Sequence, residues 1–514
     1  MSKPPASTPA SAAPVASPVD KVHPALVIAV VMSAILEVLD STIVNVALPH
    51  IQSAFGATND QITWILTSYI VSAVVVMPLT GYMARRIGRR RLILTSVIGF
   101  TVFSMLSGMA WSLSSMTAFR LGQGVFGAFL IPLSQSILFD AFPREKRGQA
   151  MAMFGLGVVV APVLGPTIGA LLTEYFSWRM VFFVNLPIAA LTLLLLAGEL
   201  PADKPEKVRT DWGGLILLAL AISALQFMLD QGQMRDWFSS HMIQTALVVA
   251  LVAGSFFFVR GWFKGDNIID LHLFADGNYT WASLIIAGFA VSLFGAIAIL
   301  PLFVQGLLGY PVLFAGYLFI PRGLAAGFSM VITGAVLVHR FDRRYLAAAG
   351  LVLTAAGNFM LGVLNLDAGF WQLAWPGVVS GFGMGLVFVP LSTLAFENIS
   401  HARQNEASGL YGVTRQLGSS IGIAVVGAEL VRRMATDTAL LGVKASVFNP
   451  AAWSYLAPLG LTPQSTQGVA FLTIEVQRQA AMMAYSEMFN WLGWVAVLLL
   501  PLLMFMKAPP TSTA

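Results

Sequence analysis

The sequence has no cysteine and very little charge. Without cysteine, the chain can form no disulfide bond, no thiolate metal site and no cysteine nucleophile. Charged residues make up 10% of the 514 residues, whereas soluble domains carry about 25%. Because 57% of the residues are hydrophobic and the mean hydropathy is +0.78, the polar residues are too few to cover a water-facing surface. This composition argues against a soluble enzyme, a nucleic-acid-binding module and a disulfide-stapled secreted domain.

Apolar stretches long enough to cross a bilayer follow one another along the chain. A span needs roughly 20 residues, so the hydrophobic residues suffice for about fourteen spans. Fourteen candidates centre on residues 24–49, 61–84, 92–111, 113–139, 150–174, 180–199, 212–231, 242–262, 279–304, 313–338, 345–366, 371–396, 408–430 and 486–506. The sequence therefore predicts an all-α polytopic membrane protein.

The distribution of basic residues sets the predicted topology. With fourteen spans, 20 of the 29 Lys and Arg residues fall on the side of the two termini, and basic loops are typical of the cytoplasmic side. Removing either 212–231 or 242–262 from the count would move Arg340, Arg343 and Arg344 to the other side. We therefore expect fourteen transmembrane helices with both termini in the cytoplasm.

A weak internal repeat divides the chain into two halves. Four short matches recur in the same order at offsets of 253 to 258 residues: 86–90 with 340–344, 132–134 with 390–392, 147 with 403, and 165–169 with 418–422. Parallel six-helix repeats are typical of the major facilitator fold, whose halves rock around a midplane cavity. The predicted organisation is a disordered cytoplasmic tail (1–22), an N-terminal six-helix half (23–200), two inserted transmembrane helices (201–265), a C-terminal six-helix half (266–508) with a periplasmic segment at 431–484, and a cytoplasmic tail (509–514).

Ionisable residues inside predicted spans are costly and indicate function, and we single out three of them. Asp40 lies near the middle of the first helix, and Glu37 lies one turn earlier on the same face. Arg120 lies at a similar depth on the antiparallel fourth helix. A carboxylate whose arginine partner approaches in one state and leaves in another would bind and release a proton. We therefore predict proton coupling at Asp40, Arg120 and Glu37; the alternatives are a static ion pair and, for Glu37, selection of cationic substrates.

Two further segments combine glycine with proline or with basic residues. The fifth helix carries Pro162, Gly165, Pro166 and Gly169. Small residues let helices approach closely and prolines bend them, so this helix is a candidate to seal one side of a cavity, with generic packing as the alternative. Residues 81–91 (GYMARRIGRRR) form a tight basic turn between two spans, for which a plain topology signal is the alternative.

Signals of catalysis and of cofactor binding are missing from the sequence. The phosphate-loop pattern G-x-x-x-x-G-K-[ST] does not occur, and the six histidines never cluster at the spacing of metal ligands. Residues 418–422 match the nucleophile-elbow pattern but lie inside a span rather than in a strand–turn–helix. We therefore expect a transporter and not an enzyme, with no metal, no cofactor and the proton gradient as its energy source.

The motifs of this chain resemble those of the fourteen-helix drug:proton antiporters of the major facilitator superfamily, and within them the EmrB/QacA group. The first helix reads LDSTIVNVALP, which looks like the signature of that group and includes Thr42, Asn45 and Pro49. The fifth-helix residues fit the antiporter motif, and Arg120 with the following GQG resembles the fourth-helix motif tied to proton transfer. The segment 431–484 fits the EmrB branch better than the QacA branch. The resemblance covers nearly the whole chain after residue 23.

The turn at 81–91 is similar to the loop motif of the superfamily, which acts as a charge latch between the two halves. The matching residues are Gly81, Arg86, Gly88 and Arg89. Arg85 stands where the motif has an aspartate. A latch built on that carboxylate is therefore in doubt in this chain.

The resemblance implies a function and a set of partners. It implies export of hydrophobic and amphipathic drugs in exchange for protons, from the inner membrane of a Gram-negative bacterium. It also implies a periplasmic adaptor of the EmrA type and an outer-membrane channel of the TolC type. An uptake carrier or a lipid flippase would share the topology, and a membrane-embedded enzyme or receptor would need a cluster of catalytic or ligand-binding groups that the sequence lacks.

Overall fold

A computed structural model describes residues 23–200, 205, 211–263, 270–446 and 448–507. The predicted tails at 1–22 and 509–514 lie outside the described residues. Every regular element in the described part of the chain is a helix, as expected where a bilayer leaves backbone groups no water to bind. The long helices are α1 (Pro24–Phe55), α2 (Trp64–Ile87), α3 (Arg89–Gly108), α4 (Leu113–Ala141), α5 (Arg147–Tyr175), α6 (Met180–Glu199), α7 (Trp212–Gln231), α8 (His241–Phe263), α9 (Gly277–Leu307), α10 (Gly316–Arg340), α11 (Arg343–Gly362), α12 (Phe370–Phe396), α13 (Gln404–Lys444) and α14 (Thr466–Phe505).

Several of these helices change their winding along their length, and α10 is already helical from Val312. The component segments are Trp64–Val76, Met77–Leu79 (3₁₀) and Thr80–Ile87 in α2; Leu113–Gly127 and Leu130–Ala141 in α4; Met180–Phe183 and Asn185–Glu199 in α6; Gly277–Pro301 and Leu302–Leu307 (π) in α9; Val312–Ile332, Thr333–Leu337 (π) and Val338–Arg340 in α10; and Thr466–Leu498 and Leu500–Phe505 (3₁₀) in α14. Short helices or 3₁₀ turns connect the rest at Asn59–Ile62, Arg144–Lys146, Gln233–Arg235, Trp237–Ser239, Leu271–Ala275, His401–Arg403, Pro450–Leu456 and Ala457–Leu459.

Within the described residues, twelve helices are long and apolar enough to cross a membrane. They are all of the labelled helices except α5 and α13. The predicted all-α multi-pass architecture is therefore confirmed. The count of fourteen crossings, which includes α5 and α13, stays a prediction, and so do the boundaries of the two halves and of the inserted segment.

One end of the helix bundle carries the basic turns, and we call it the basic face. There the carboxylate of Asp140, at the end of α4, binds Arg89 of α3 at 2.5 Å and His401 beside α13 at 2.7 Å. Because these residues come from both predicted halves, the basic turns of the two halves meet at one end of the molecule.

Both ends of the described chain also lie at the basic face. His23, just before α1, pairs with Glu199 at the end of α6 (3.5 Å). Arg344, at the start of α11, donates a hydrogen bond to the carbonyl of Met506 (3.1 Å). The fold thus brings the two described ends to the same side of the bundle.

The repeat seen in the sequence is matched by a repeated contact. Arg89 at the start of α3 binds Asp140, and Arg343 at the start of α11 binds Glu397 just after α12 (2.9 Å). The two arginines are 254 residues apart and the two carboxylates are 257 apart, which agrees with the offsets of the sequence matches. Each pair ties the start of one helix to the end of the next.

The predicted periplasmic segment 431–484 is mostly helical. It consists of the end of α13, the short helix Pro450–Leu456 and the beginning of α14. At 1.5 Å per residue, the 41 residues of α13 extend about 60 Å, roughly twice the thickness of the hydrocarbon core. We call this segment the outer hairpin, because α13 starts at the basic face and carries it beyond the opposite end.

Candidate functional site

Asp40 and Arg120 form an ion pair in the interior of the bundle. Both side chains are fully buried, and Nη1 of Arg120 donates to Oδ2 of Asp40 at 2.5 Å. Asp40 lies 16 residues from the start of α1, about 24 Å from the basic face. The structure therefore brings these two sequence-predicted residues together near the middle of the molecule.

The other carboxylate oxygen of Asp40 is held by two amides. Nε2 of Gln123, one turn after Arg120 on α4, donates to Oδ1 at 2.9 Å, and Nδ2 of Asn185 on α6 does the same at 2.9 Å. Asn185 also donates to Ser104 Oγ at 3.0 Å, which in turn bonds the carbonyl of Phe182. Two helices, α4 and α6, thus supply three donors to one carboxylate, as a buried charge requires.

Arg120 is only partly satisfied by these partners. Its guanidinium lies over the ring of Tyr69 at 4.2 Å, and Nη1 also reaches Oε1 of Gln123 at 2.7 Å. Its Nη2 atom, although buried, has no hydrogen-bond partner. A buried donor without a partner is costly, so the cluster holds the arginine less completely than it holds the carboxylate.

The corresponding place in the C-terminal half is neutral. Asp40 precedes Pro49 on α1 by nine residues, and Ser292 precedes Pro301 on α9 by the same nine. Ser292 is fully buried, accepts a hydrogen bond from Asn358 at 3.0 Å and donates to a backbone carbonyl at 2.8 Å. At this place of the repeat, the N-terminal half therefore has a buried carboxylate and the C-terminal half a neutral hydroxyl. Packing alone does not require that difference.

Glu37 lies one turn before Asp40, on the side of α1 that faces the other half. It is half-buried, and its charge interacts with that of Arg415 on α13. The two side chains form no direct hydrogen bond or ion pair. Glu37 is thus the group of the predicted trio that interacts with a charge across the interface between the halves.

The first-helix and fifth-helix motifs contact each other. A Cβ atom on Gly165 would lie 2.1 Å from the hydroxyl of Thr42, and one on Gly169 would lie 2.9 Å from Ile43. Helix α5 therefore packs on α1 without room for a methyl group at either position. The hydroxyl of Thr42 bonds carbonyls of its own helix.

The remaining residues of these two motifs stay outside the Asp40 cluster. Asn45 and Pro49 are exposed, and the amide of Asn45 donates to the carbonyl of Ser41 at 3.3 Å. Helix α5 runs without interruption from Arg147 to Tyr175, through Pro162 and Pro166. Gly165 and Gly169 therefore tighten the contact between α5 and α1 within one half. That α5 seals one side of a cavity stays a prediction.

The basic motif at 81–91 is largely helical, so the predicted turn is reduced to one residue. Gly88 separates α2 from α3 with φ +89°, a conformation that favours glycine. Gly81 lies inside α2, and Arg86 hydrogen-bonds the hydroxyl of Tyr82 on the same helix. Arg89 binds Asp140 as described above. Glycine is required at position 88 because of the positive φ angle. At position 81 it is required because a neighbouring helix leaves no room for a side chain.

That neighbouring helix supplies the partner of Arg85. The guanidinium of Arg85 lies 3.7 Å from the carboxylate of Glu406, which is in the first turn of α13 and almost fully buried. A Cβ atom on Gly81 would lie 2.6 Å from the Cα of Glu406. The two halves are therefore joined at this motif by an ion pair in which the loop motif supplies the cation. The role of this motif as a latch stays a prediction.

Further contacts close the basic face between the halves. Ser408 on α13 donates to the carbonyl of Pro132 on α4 (3.0 Å), and the rings of Phe139 and Phe396 meet edge to face at 5.5 Å. The gap that Gln135, Ser136, Phe139, Phe396, Gln404 and Ser408 line beside them has no room for a water molecule. The structure is therefore closed at the basic face.

Comparison with known proteins agrees with this geometry. The sequence profile of the Major Facilitator Superfamily matches residues 30–423. The chain belongs to the major facilitator superfamily. The predicted membership and fold are thereby confirmed, and so is the expectation of a membrane transporter rather than an enzyme, since members of the superfamily are transporters.

Relatives in sequence support this membership, and a solved structure shares the fold. It is 34% identical to the multidrug export protein EmrB of Escherichia coli (strain K12) over 491 residues, which cover 94% of this chain and 95% of that protein. It is also 34% identical to the fatty acid resistance protein FarB of Neisseria gonorrhoeae, over 93% of this chain and 95% of that one. The crystal structure of the human organic anion transporter MFSD10 superposes on 92% of this chain, using 99% of its own chain, with a TM-score of 0.60 and 15% sequence identity. At that identity, the similarity shows the shared major facilitator fold alone.

Several residues of this superfamily member could not be assigned a role from the sequence. Gln123 and Asn185 bind Asp40, and Glu406 binds Arg85. In the sequence, each of them is an amide or an acid inside or beside a helix rich in small residues. Such residues are too common for the sequence to indicate which of them binds a charged partner. Gln226 on the inserted helix α7 is a further case: it is fully buried and donates to Ser420 of α13 at 2.9 Å, so the inserted segment is bonded to the C-terminal half.

Proposed function

We propose that this protein exports hydrophobic and amphipathic compounds, drugs among them, in exchange for protons. The observation that carries the proposal is the fully buried carboxylate of Asp40, which is bonded to Arg120 in one half of the repeat and replaced by Ser292 in the other. The similarity to EmrB, named as a multidrug export protein, supports the same function. A buried ionisable group inside a membrane bundle is the usual mark of proton coupling.

The exchange would run through the ion pair. Protonation neutralises the carboxylate of Asp40, which weakens its bond to Arg120 and leaves a buried cation. The halves would then move apart at the basic face and release the proton there. One proton driven by 100 mV supplies about 2.3 kcal/mol, enough for a roughly 50-fold concentration ratio. No cofactor is needed, since the proton gradient is the energy source.

The orientation that fits this cycle has the basic face and both termini in the cytoplasm. The clustering of basic turns at one face supports it. The structure would then be open towards the periplasm, the side from which protons enter. We assign the protein to the inner membrane of a Gram-negative bacterium, supported by its similarity to EmrB of Escherichia coli.

The outer hairpin would dock a periplasmic adaptor of the EmrA type, which in turn would join an outer-membrane channel of the TolC type. Its apolar side chains are unusually exposed: Phe448 is 91% exposed and Val443 is 80% exposed. A cleft of about 290 Å³ lies between α13 and α14, lined by Thr438, Gly442, Ala445, Ser446, Pro463, Val469, Leu472, Thr473 and Val476. Exposed apolar patches of this kind mark interaction sites.

The test uses purified protein in proteoliposomes with an imposed pH gradient and ethidium as the probe. Wild type should transport ethidium against its gradient, whereas Asp40→Asn should lose gradient-driven transport. Ser292→Ala, at the corresponding place of the other half, is the matched control and should transport as wild type does. Equal transport by Asp40→Asn and wild type would refute proton coupling at Asp40, and transport in the direction of uptake would refute export.

A further inference from the structure

Arg322 is a buried arginine with no counter-ion in the part of the chain that the structure describes. It lies on α10, ten residues from the point where the helix begins at Val312, and so about 15 Å into the bundle. Only 8% of its surface is exposed. It makes no hydrogen bond and no ion pair with any described residue, and no described charged side chain is close enough to interact with it.

The other arginines in the described interior have partners. Arg120 binds Asp40 at 2.5 Å, and Arg415 interacts with Glu37. Burying a charge without a partner costs several kcal/mol, because the water that solvated the charge is not replaced. An arginine that is buried in spite of this free-energy cost indicates that a ligand supplies the missing negative charge.

The neighbouring helix is shaped around this side chain. Gly377 and Gly381 lie one turn apart on α12, and a Cβ atom on Gly381 would lie 3.2 Å from Cγ of Arg322 and 2.4 Å from its carbonyl oxygen. One on Gly377 would lie 3.4 Å from Cβ of Arg322. The two glycines therefore leave a groove on α12 for the stem of Arg322.

The head of the side chain is not sealed in this groove. The buried polar atoms without a hydrogen bond include Nη2 of Arg120 but none of the nitrogens of Arg322. Since the guanidinium of Arg322 has no partner either, its nitrogens must retain contact with accessible space. Leu318 and Ala326, one turn before and one turn after Arg322 on the same helix, are buried. The guanidinium therefore has apolar neighbours.

We propose that Arg322 forms a subsite for the carboxylate of an anionic amphiphile. A guanidinium binds a carboxylate through two parallel hydrogen bonds, and the apolar residues around Arg322 suit a hydrocarbon tail. The inference rests on the proposed export function, since it names a class of substrate for the same transporter. The proton site lies in the N-terminal half and the anion subsite in the C-terminal half, so each half contributes one charge.

The experiment compares three probes with the same tail: octanoate, octyltrimethylammonium and octanol. Binding to the full-length protein in nanodiscs of zwitterionic lipid is measured by calorimetry, with empty nanodiscs as the blank. Arg322→Met should weaken octanoate binding about ten-fold or more and leave the other two probes unchanged, because only the anion loses its charge-assisted hydrogen bonds. Arg322→Lys should retain most of the octanoate affinity. Arg478→Met, which removes an exposed arginine of the outer hairpin, is the matched control.

Folding is followed by thermal unfolding of the same samples. Arg322→Met should unfold at the wild-type temperature or above it, since it removes an unpaired buried charge. Octanoate should raise the unfolding temperature of wild type but not that of Arg322→Met. An equal loss of all three probes, or no loss of octanoate, would overturn the subsite. So would displacement of octanoate by phosphatidylglycerol in the nanodisc, which would assign Arg322 to a lipid phosphate.

Ethidium transport by the same preparations separates this proposal from the export function. Wild type and Arg478→Met should both carry out proton-driven ethidium transport. If wild type does not transport ethidium but binds octanoate through Arg322, the export function is refuted and the subsite is supported. If wild type transports ethidium and its octanoate binding is not weakened by Arg322→Met, only the subsite is refuted.

Discussion

The pair of Arg85 and Glu406 reverses the charges expected at the loop motif. The motif usually provides a carboxylate from α2, whereas here α2 provides a guanidinium and α13 the carboxylate. Glu406 lies in the first turn of α13, where a helix favours negative charge, and it also accepts a hydrogen bond from the backbone N–H of Asp270 at 2.7 Å. The attraction between two opposite charges is the same whichever half carries the positive one. The pair of Arg85 and Glu406 can therefore hold the two halves together as the usual pair would.

Reversing one member of this pair should open the basic face, and reversing both should close it again. We expect Arg85→Glu to shift the population away from the closed state about ten-fold, which corresponds to roughly 1.4 kcal/mol, because two carboxylates would then face each other. Arg85→Glu combined with Glu406→Arg should recover most of the effect. The measurement is the distance between spin labels on α2 and α13, together with the rate of ethidium transport. Non-recovery in the double variant would mean that the charge pair does not hold the halves.

At the scale of the helix, the contact between α1 and α5 supports the proton site. Helix α1 carries Asp40, and Gly165 and Gly169 of α5 lie against the following turn at Thr42 and Ile43. Because a methyl group does not fit there, the position of Asp40 relative to Arg120 depends on the small residues of a different helix. The sequence motif on α5 thus acts through packing on α1.

Gly165→Ala should therefore impair transport by displacing α1, although residue 165 does not contact Asp40 or Arg120 directly. The new Cβ would lie 2.1 Å from the hydroxyl of Thr42, and overpacking of this kind costs about 1–3 kcal/mol. Thr42→Ala should rescue it in part by removing the hydroxyl. Gly427→Ala on α13, where nothing lies within 4 Å, is the control and should be neutral or slightly stabilising. Thermal unfolding and ethidium transport are the two readouts, and loss of both in the control variant would contradict the packing explanation.

The whole molecule combines a bundle closed at the basic face with a helical hairpin beyond the opposite end. The inserted helix α7 packs between the halves: Phe227 lies 6.0 Å from Trp64 of α2, and Gln226 binds Ser420 of α13. Helix α13 is therefore at once the partner of Arg85 at one end, of α7 in its middle and of α14 in the outer hairpin. A movement of the halves would be carried to the hairpin along this one helix.

Shortening the outer hairpin should separate transport from resistance. Replacing residues 445–465 by a short Gly/Ser turn should leave ethidium transport in proteoliposomes unchanged, because the bundle is intact, but should abolish drug resistance of whole cells if an adaptor docks there. Phe448→Ser with Val443→Ser should have the same effect in milder form. Arg432→Ser, an exposed position on the same helix, is the control. Full resistance of cells with the shortened hairpin would speak against an adaptor at this site.

Much of the architecture could be predicted from single stretches of sequence. The long apolar runs give the helices, since each must satisfy its backbone within itself in a bilayer. The isolated charges at Asp40 and Arg120 could be singled out for the same reason, as exceptions within apolar runs. The turn at 81–91 and the segment 431–484 were less predictable, because polar residues allow helix as well as loop when another helix packs against them.

The sequence by itself determined the membrane architecture, the superfamily and the carboxylate on which proton coupling is proposed, because these follow from the local cost of polar groups in apolar surroundings. Only the tertiary structure decided which groups meet. Asn185 reaches Asp40 across 145 residues of chain, and Glu406 lies 321 residues from Arg85. That Arg322 has no counter-ion among the described residues is likewise a property of all the helices around it. Such pairings depend on how the helices pack in three dimensions, and no single segment of the chain encodes them.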